Sequence, residues 1–170
     1  MAASDKDNSH GPEGGTICFL SPLALAQRVR EEVNRAGRHG TALSCLHLDI
    51  EDLAEIARLH GAVLAENAVA YAGLALRHEL RGFDRVGRAA ERELLIVLPG
   101  ADGPRAEIVA RRVLERLRAI KLEHAGERRA LRMAVGLATW REGMGAEELL
   151  ARARAAAGRE RLVFRDALRL

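Results

Sequence analysis

The chain has 170 residues, of which 48% are hydrophobic and 30% charged, with a formal net charge of +3. That composition suits one domain with a real core, and it excludes a disordered chain or two domains of ordinary size. No apolar run approaches the roughly 20 residues of a membrane span, and two cysteines, Cys18 and Cys45, are too few and too far apart for a metal site or a disulfide framework.

Met1 to Thr16 is polar and lacks an apolar signal core, so it reads as a disordered leader on a cytoplasmic protein, with a single domain over 17–170. Helical periodicity starts at Ser21-Pro22, a cap followed by proline at the first helical position. Leu23, Leu25, Val29 and Val33 recur on one side to about Arg38, and Gly37 and Gly40 end the pattern. Leu43 to Ile50, LSCLHLDI, is a strand that finishes on acidic residues. Within it Cys45 reads as a small buried hydrophobe, His47 as a satisfied buried or half-buried histidine, and Asp49 as a cap for the next helix. Asp52 to Leu59 is a short helix closed by Gly61, and Glu66 to Leu80 a longer amphipathic one. His39, His60 and His78 fall at loop or surface positions.

Arg81 to Pro99, RGFDRVGRAAERELLIVLP, then gives a charged turn, a short strand, a tight reversal and a strongly apolar strand, a hairpin at 85–98. A helix from about Gly103 to Lys121 carries a dense arginine face; Arg132 to Trp140 is a strand, Ala146 to Ala157 a helix, and Arg161 to Arg165 a last short strand. A doubly wound parallel sheet needs a crossover between nearly every strand, and the hairpin breaks that rule. The order is that of an α+β fold with a central, mostly antiparallel sheet flanked by helices. All basic residues but Lys6 and Lys121 are arginine, whose fork suits phosphate and guanine; aromatics are only 3%, which leaves few stacking platforms and argues against nucleic acid as a partner.

Four segments carry a family resemblance. In 46–69, LHLDIEDLAEIARLHGAVLAENAV, the positions Asp49, Ile50, Leu53, Ile56 and Gly61 match; the hairpin matches through Asp84, Arg88, Glu93, Leu98 and Pro99; RMAVGLA at 132–138 and GRERLVF at 158–164 follow in order. Over about residues 20–168 the chain resembles the GGDEF domains of the diguanylate cyclase family, which implies their nucleotidyl-cyclase-like, ferredoxin-like fold. Where that family has the letters GGDEF, this chain has Ala90, Glu91, Arg92, Glu93 and Leu94.

Joining two GTP molecules needs metal ions held by carboxylates. By the resemblance one metal acid falls on Asp49 and the second on Arg92, whose guanidinium repels a cation. The signature glycines, which let backbone approach the nucleotide, are Ala90 and Glu91. The guanine-reading pair falls on Ala57 and Arg58, and the following Gly-Asp on Ala65-Glu66. The resemblance therefore implies no catalytic residues, no metal and no cofactor, and these replacements also argue against GTP held without turnover. Glu93 is expected to pair with Arg92 or Arg88.

The Arg-x-x-Asp element five residues ahead of the signature is intact as Arg81 and Asp84. In the family it binds the product, cyclic di-GMP, often as a stacked pair of molecules. Guanine offers acceptors to an arginine fork and donors to a carboxylate, so both residues suit one purine. The resemblance adds Arg112 on the following helix, with Arg111 as fallback, and Arg77 and Arg85 are close enough for phosphate contacts. The expected function is a catalytically inactive cyclic di-GMP receptor, whose ligand could bridge a homodimer or a partner protein. The alternative is a nucleotide-independent interaction scaffold of the same fold.

Overall fold

The structure, a computed structural model, describes residues 19–159. The leader 1–16, Cys18 and the expected strand at 161–165 lie outside the described residues. Helix α1 spans Pro22–His39: the Ser21 hydroxyl accepts the Ala24 N–H at 3.2 Å, and Gly40, at φ 62°, ends the helix. Gly37, expected to help end it, lies inside the helix instead, within reach of the Trp140 ring. Strand β1 is Leu43–Ile50 and α2 is Leu53–His60. At Gly61 the backbone turns (φ 93°) while its N–H still bonds the Ala57 carbonyl, and α3, Ala62–Glu79, begins at once. The helix expected from Glu66 thus starts four residues earlier, because the 62–65 stretch has no breaker and suits a helix.

Strands β2, Arg85–Ala90, and β3, Glu93–Pro99, form the expected hairpin, with a register shift between Arg88 and Ala90. Helix α4, Gly103–Arg118, is capped by the Asp102 carboxylate and stops short of Lys121. Lys121 instead opens a two-stranded ribbon that the sequence reading did not expect, β4 Lys121–His124 paired with β5 Glu127–Ala130. Its charged residues show no apolar alternation. The turn is made by Ala125 (φ 52°) and Gly126 (φ 81°), a left-handed pair suited to a two-residue hairpin. Strand β6, Met133–Thr139, and helix α5, Ala146–Arg159, complete the order.

The main sheet runs β2-β3-β1-β6, with every neighbouring pair antiparallel. The fold class read from the sequence is the one observed. Both faces of β1 and β3 are covered, which explains their near-continuous apolar runs. Leu46, Leu48, Leu94, Ile96 and Leu98 pack under α2, α3 and α4 against Ile56, Val69, Leu76 and Val113. Cys45, Leu95 and Val97 face α1 and α5 with Leu25, Val29, Leu149 and Ala153. Gly136 lets α5 lie on β6: a Cβ there would collide with the backbone of Ala153 and Ala157. No helix among the described residues is long and apolar enough to cross a membrane.

Candidate functional site

Two charged turns carry the candidate chemistry. The first, Arg81 to Asp84, joins α3 to β2 and is closed by the Asp84 N–H donating to the Arg81 carbonyl at 3.0 Å. The Asp84 side chain is buried (2% exposed), and its Oδ2 accepts the Arg81 backbone N–H at 2.8 Å and lies 3.5 Å from Arg81 Nε. Its Oδ1 is buried with no hydrogen-bond partner, an open acceptor of the kind that folded proteins rarely leave. The Arg81 guanidinium is half exposed and stands over the exposed Phe83 ring, 4.5 Å from its centroid, where cation–π attraction holds it in place. Arg85 is turned inward, donating to the carbonyls of Gly82 and Asp84 at 2.7 and 2.9 Å.

Arg112, on α4, reaches the same end of the sheet. It donates to the Glu79 carboxylate at 3.2 Å and to the Glu79 carbonyl at 2.8 Å, two residues before Arg81. Arg116, one turn further along α4, lies 3.6 Å from the other Glu79 oxygen. Arg111 points elsewhere and pairs with Glu107 at 2.6 Å. The three expected ligand residues therefore converge on the α3–β2 junction, with Glu79 and Arg116 as members the sequence reading missed. For Arg116 a signal was available: it lies four residues from Arg112 on one helix face.

The second turn is the hairpin tip. Arg92 Nε lies 3.0 Å from Asp49 Oδ1, so Asp49 is partnered by Arg92 and does not cap α2. Burial pushes the Asp49 carboxyl above its ordinary range, with Arg92 opposing and Glu93 and Glu51 adding to the rise. Glu93 pairs with neither Arg92 nor Arg88: Arg154 of α5 holds both its oxygens, at 2.6 and 2.7 Å, and His47 Nε2 is 3.6 Å away. Arg88 forks onto Glu66 at 3.0 and 3.1 Å and donates to the Glu91 carbonyl. The Glu66 carboxyl is held below its usual range by that hydrogen bond. His47 is buried as expected, and desolvation depresses its basicity. Arg154 was missed because only the packing of α5 on the sheet brings it to Glu93.

Besides a cavity of about 280 Å³ bounded by His47, Asp49, Glu51, Glu93 and Arg154, two more flank this tip. One, about 600 Å³, lies between α1 and α5, walled by Leu25, Ala26 and Leu150, with His47, Glu93 and Arg154 at its polar end. A smaller one, about 100 Å³, runs from Leu53 and Ala57 to Glu66, Glu91 and Arg92. The donors at the tip do not fit a divalent cation. Asp49 already faces a guanidinium, Glu93 another, and among the described residues no group of three or more His, Cys, Asp or Glu could hold a metal.

The described residues thus form an antiparallel α+β sheet with a charged hairpin tip at one end of β2 and an arginine–aspartate turn at the other. The chain belongs to the family described as "Diguanylate cyclase, GGDEF domain", which it matches over residues 21–162. Among solved structures it is similar to the diguanylate cyclase SiaD from Pseudomonas aeruginosa, in complex with its activator SiaC. That match has a TM-score of 0.78 and 26% identity, covering 85% of this chain and 55% of SiaD. The chain thus spans about half of that relative. It is also similar to a sensory box/GGDEF family protein from Caulobacter crescentus (TM-score 0.76, 23% identity, 87% of this chain and 96% of that one). The GGDEF domain of DgcB from Caulobacter crescentus, solved with cyclic di-GMP, shares the fold at a TM-score of 0.77 and 17% identity, covering 87% of this chain and 88% of that one. No match was found among curated proteins.

Proposed function

We propose that this GGDEF domain does not make cyclic di-GMP but binds it, at the Arg81–Asp84 turn with Arg112, and acts as a receptor. The observation that carries the reading is the contrast between the two turns. At the hairpin tip the acids a cyclase would use face Arg92 and Arg154, so a metal would have to displace two guanidinium groups. At the α3–β2 turn a half-exposed guanidinium stands pre-oriented over Phe83, and preorganisation lowers the entropy that binding must overcome. The Arg81 fork suits the acceptor edge of guanine, and Arg112 suits a phosphate. Asp84 holds the Arg81 main chain with one oxygen and has the other free, so its chief task is to orient Arg81. A related GGDEF domain, that of DgcB, has been solved with cyclic di-GMP, which supports the ligand class.

Calorimetric titration with cyclic di-GMP, with GTP as control, tests the proposal. Saturable binding of the dinucleotide and none of GTP is the expected result. Conversion of GTP to any product in the presence of magnesium would overturn the non-catalytic half, and a flat cyclic di-GMP titration the receptor half. In that case the scaffold reading takes over, favoured by the apolar side chains Leu23, Val63 and Ile108 that stand largely exposed.

A further inference from the structure

Glu79 presents its carboxylate to two arginines at the α3–β2 junction. It is the last residue of α3, and its carboxylate lies between two α4 arginines, one oxygen 3.2 Å from Arg112 Nε and the other 3.6 Å from Arg116 Nε. A phosphate has the same charge sign and similar oxygen spacing, and it forms the same charge-assisted bonds to guanidinium groups. The Glu79 side chain is mostly buried, at 20% exposed, whereas Arg112 and Arg116 are half exposed, at 50% and 52%. The arginines therefore face outward while the acid backs them. Arg112 is also anchored independently of that acid, through its Nη2 bond to the Glu79 main-chain carbonyl at 2.8 Å.

We propose that Arg116 is a further ligand-binding residue, and that Glu79 is an internal competitor which sets the affinity of the site by holding Arg112 and Arg116 until a phosphate replaces its carboxylate. The inference rests on the receptor reading above and adds to it a second phosphate-binding arginine and a built-in threshold. Replacing Glu79 by glutamine removes the competing charge, and with it the repulsion a phosphodiester would meet there. The carbonyl that anchors Arg112 remains. Affinity for cyclic di-GMP is then expected to rise in Glu79→Gln by roughly three- to tenfold and to fall by a similar factor in Arg116→Ala. In the double variant the gain from Glu79→Gln should shrink, since the two residues act on one another.

The test is calorimetry of the full chain with cyclic di-GMP for the wild type and these three variants, at one fixed salt concentration. Nitrogen NMR of the arginine Nε groups is recorded in parallel, with pyrophosphate as probe. Tighter binding in Glu79→Gln supports the inference. Wild-type binding with unchanged or weaker binding in Glu79→Gln overturns it and leaves the receptor reading standing, because Glu79 would then only scaffold the arginines. Should Glu79→Gln fail to fold, Arg116→Ala decides, and unchanged affinity there overturns the inference. If no form binds cyclic di-GMP, the receptor reading falls and the pyrophosphate arm decides the rest. Arg112 and Arg116 signals that shift more in Glu79→Gln than in wild type support the competition; signals that stay still in both end it.

Discussion

Arg92 and Asp49 form a pair whose strength depends on pH in a predictable direction. The Asp49 carboxyl has its proton affinity raised by burial, so its charged form is the one the fold tolerates poorly, and Arg92 relieves part of that burden. Below the carboxylate range Asp49 is protonated and needs no cation. As pH rises through its elevated value, the raised pKa means stability is lost, and the loss is larger without Arg92. Arg92→Ala should therefore lower the urea midpoint at pH 7 by the equivalent of about 0.5–1 kcal/mol, a screened figure because Arg92 is half exposed. The same variant should cost less at pH 4, where more of Asp49 is protonated. An equal loss at both pH values would mean that Arg92 acts through packing and not through Asp49. His47 titrates in a different window. Its folded value is depressed, mainly by burial, against the pull of Glu93 and Asp49 and with the push of Arg154. The folded state then binds fewer protons than the unfolded chain just below the ordinary histidine value of about 6.5, so stability should decline as pH falls from 7 toward 5. Thermal melts across that range should show a flatter decline in His47→Gln than in wild type.

Helix α5 depends on one glycine. Gly136 sits mid-strand in β6, opposite His47 of β1, and a methyl group there meets the main chain of Ala153 and Ala157, which cannot swing aside as a side chain can. Gly136→Ala should destabilise the domain by about 2–4 kcal/mol and pull Arg154 away from Glu93; chemical denaturation measures the first and the loss of the Arg154–Glu93 contact marks the second. Gly87, whose added Cβ would first meet the Leu25 side chain and not main chain, should tolerate alanine better. These contrasts also show what was readable beforehand. The β1 and β3 runs and the Ser21–Pro22 helix start were legible because burial on both faces and capping leave strong local patterns. The β4–β5 ribbon was not, because Leu122 is its buried hydrophobic residue and its turn uses Ala125 where Asn or Gly is the usual signal. The pairings of Asp49, Glu93 and Glu79 escaped for another reason. Each is made across elements far apart in sequence, and any of several arginines could have served.

For the molecule as a whole, the receptor reading makes ligand and stability two faces of one equilibrium. A ligand that binds only the folded chain stabilises it by RT ln(1 + [L]/Kd), about 2.7 kcal/mol at a hundredfold excess over Kd. For a domain of this size that corresponds to a rise in melting temperature of about 5–10 °C. Two substitutions in one turn should then separate. Arg81→Ala removes a half-exposed side chain while keeping the Asp84 N–H to Arg81 carbonyl bond that closes the turn, so the ligand-free melt should be unchanged and the cyclic di-GMP shift abolished. Asp84→Ala removes the buried acceptor of the Arg81 N–H, and the ligand-free protein should lose about 1–2 kcal/mol along with the shift. The two melts read together distinguish a contact residue from an orienting one. If Asp84→Ala melts as the wild type does yet still loses the shift, the buried carboxylate contacts the ligand directly, and the division of labour between the two residues is the reverse of the one argued from Asp84's burial.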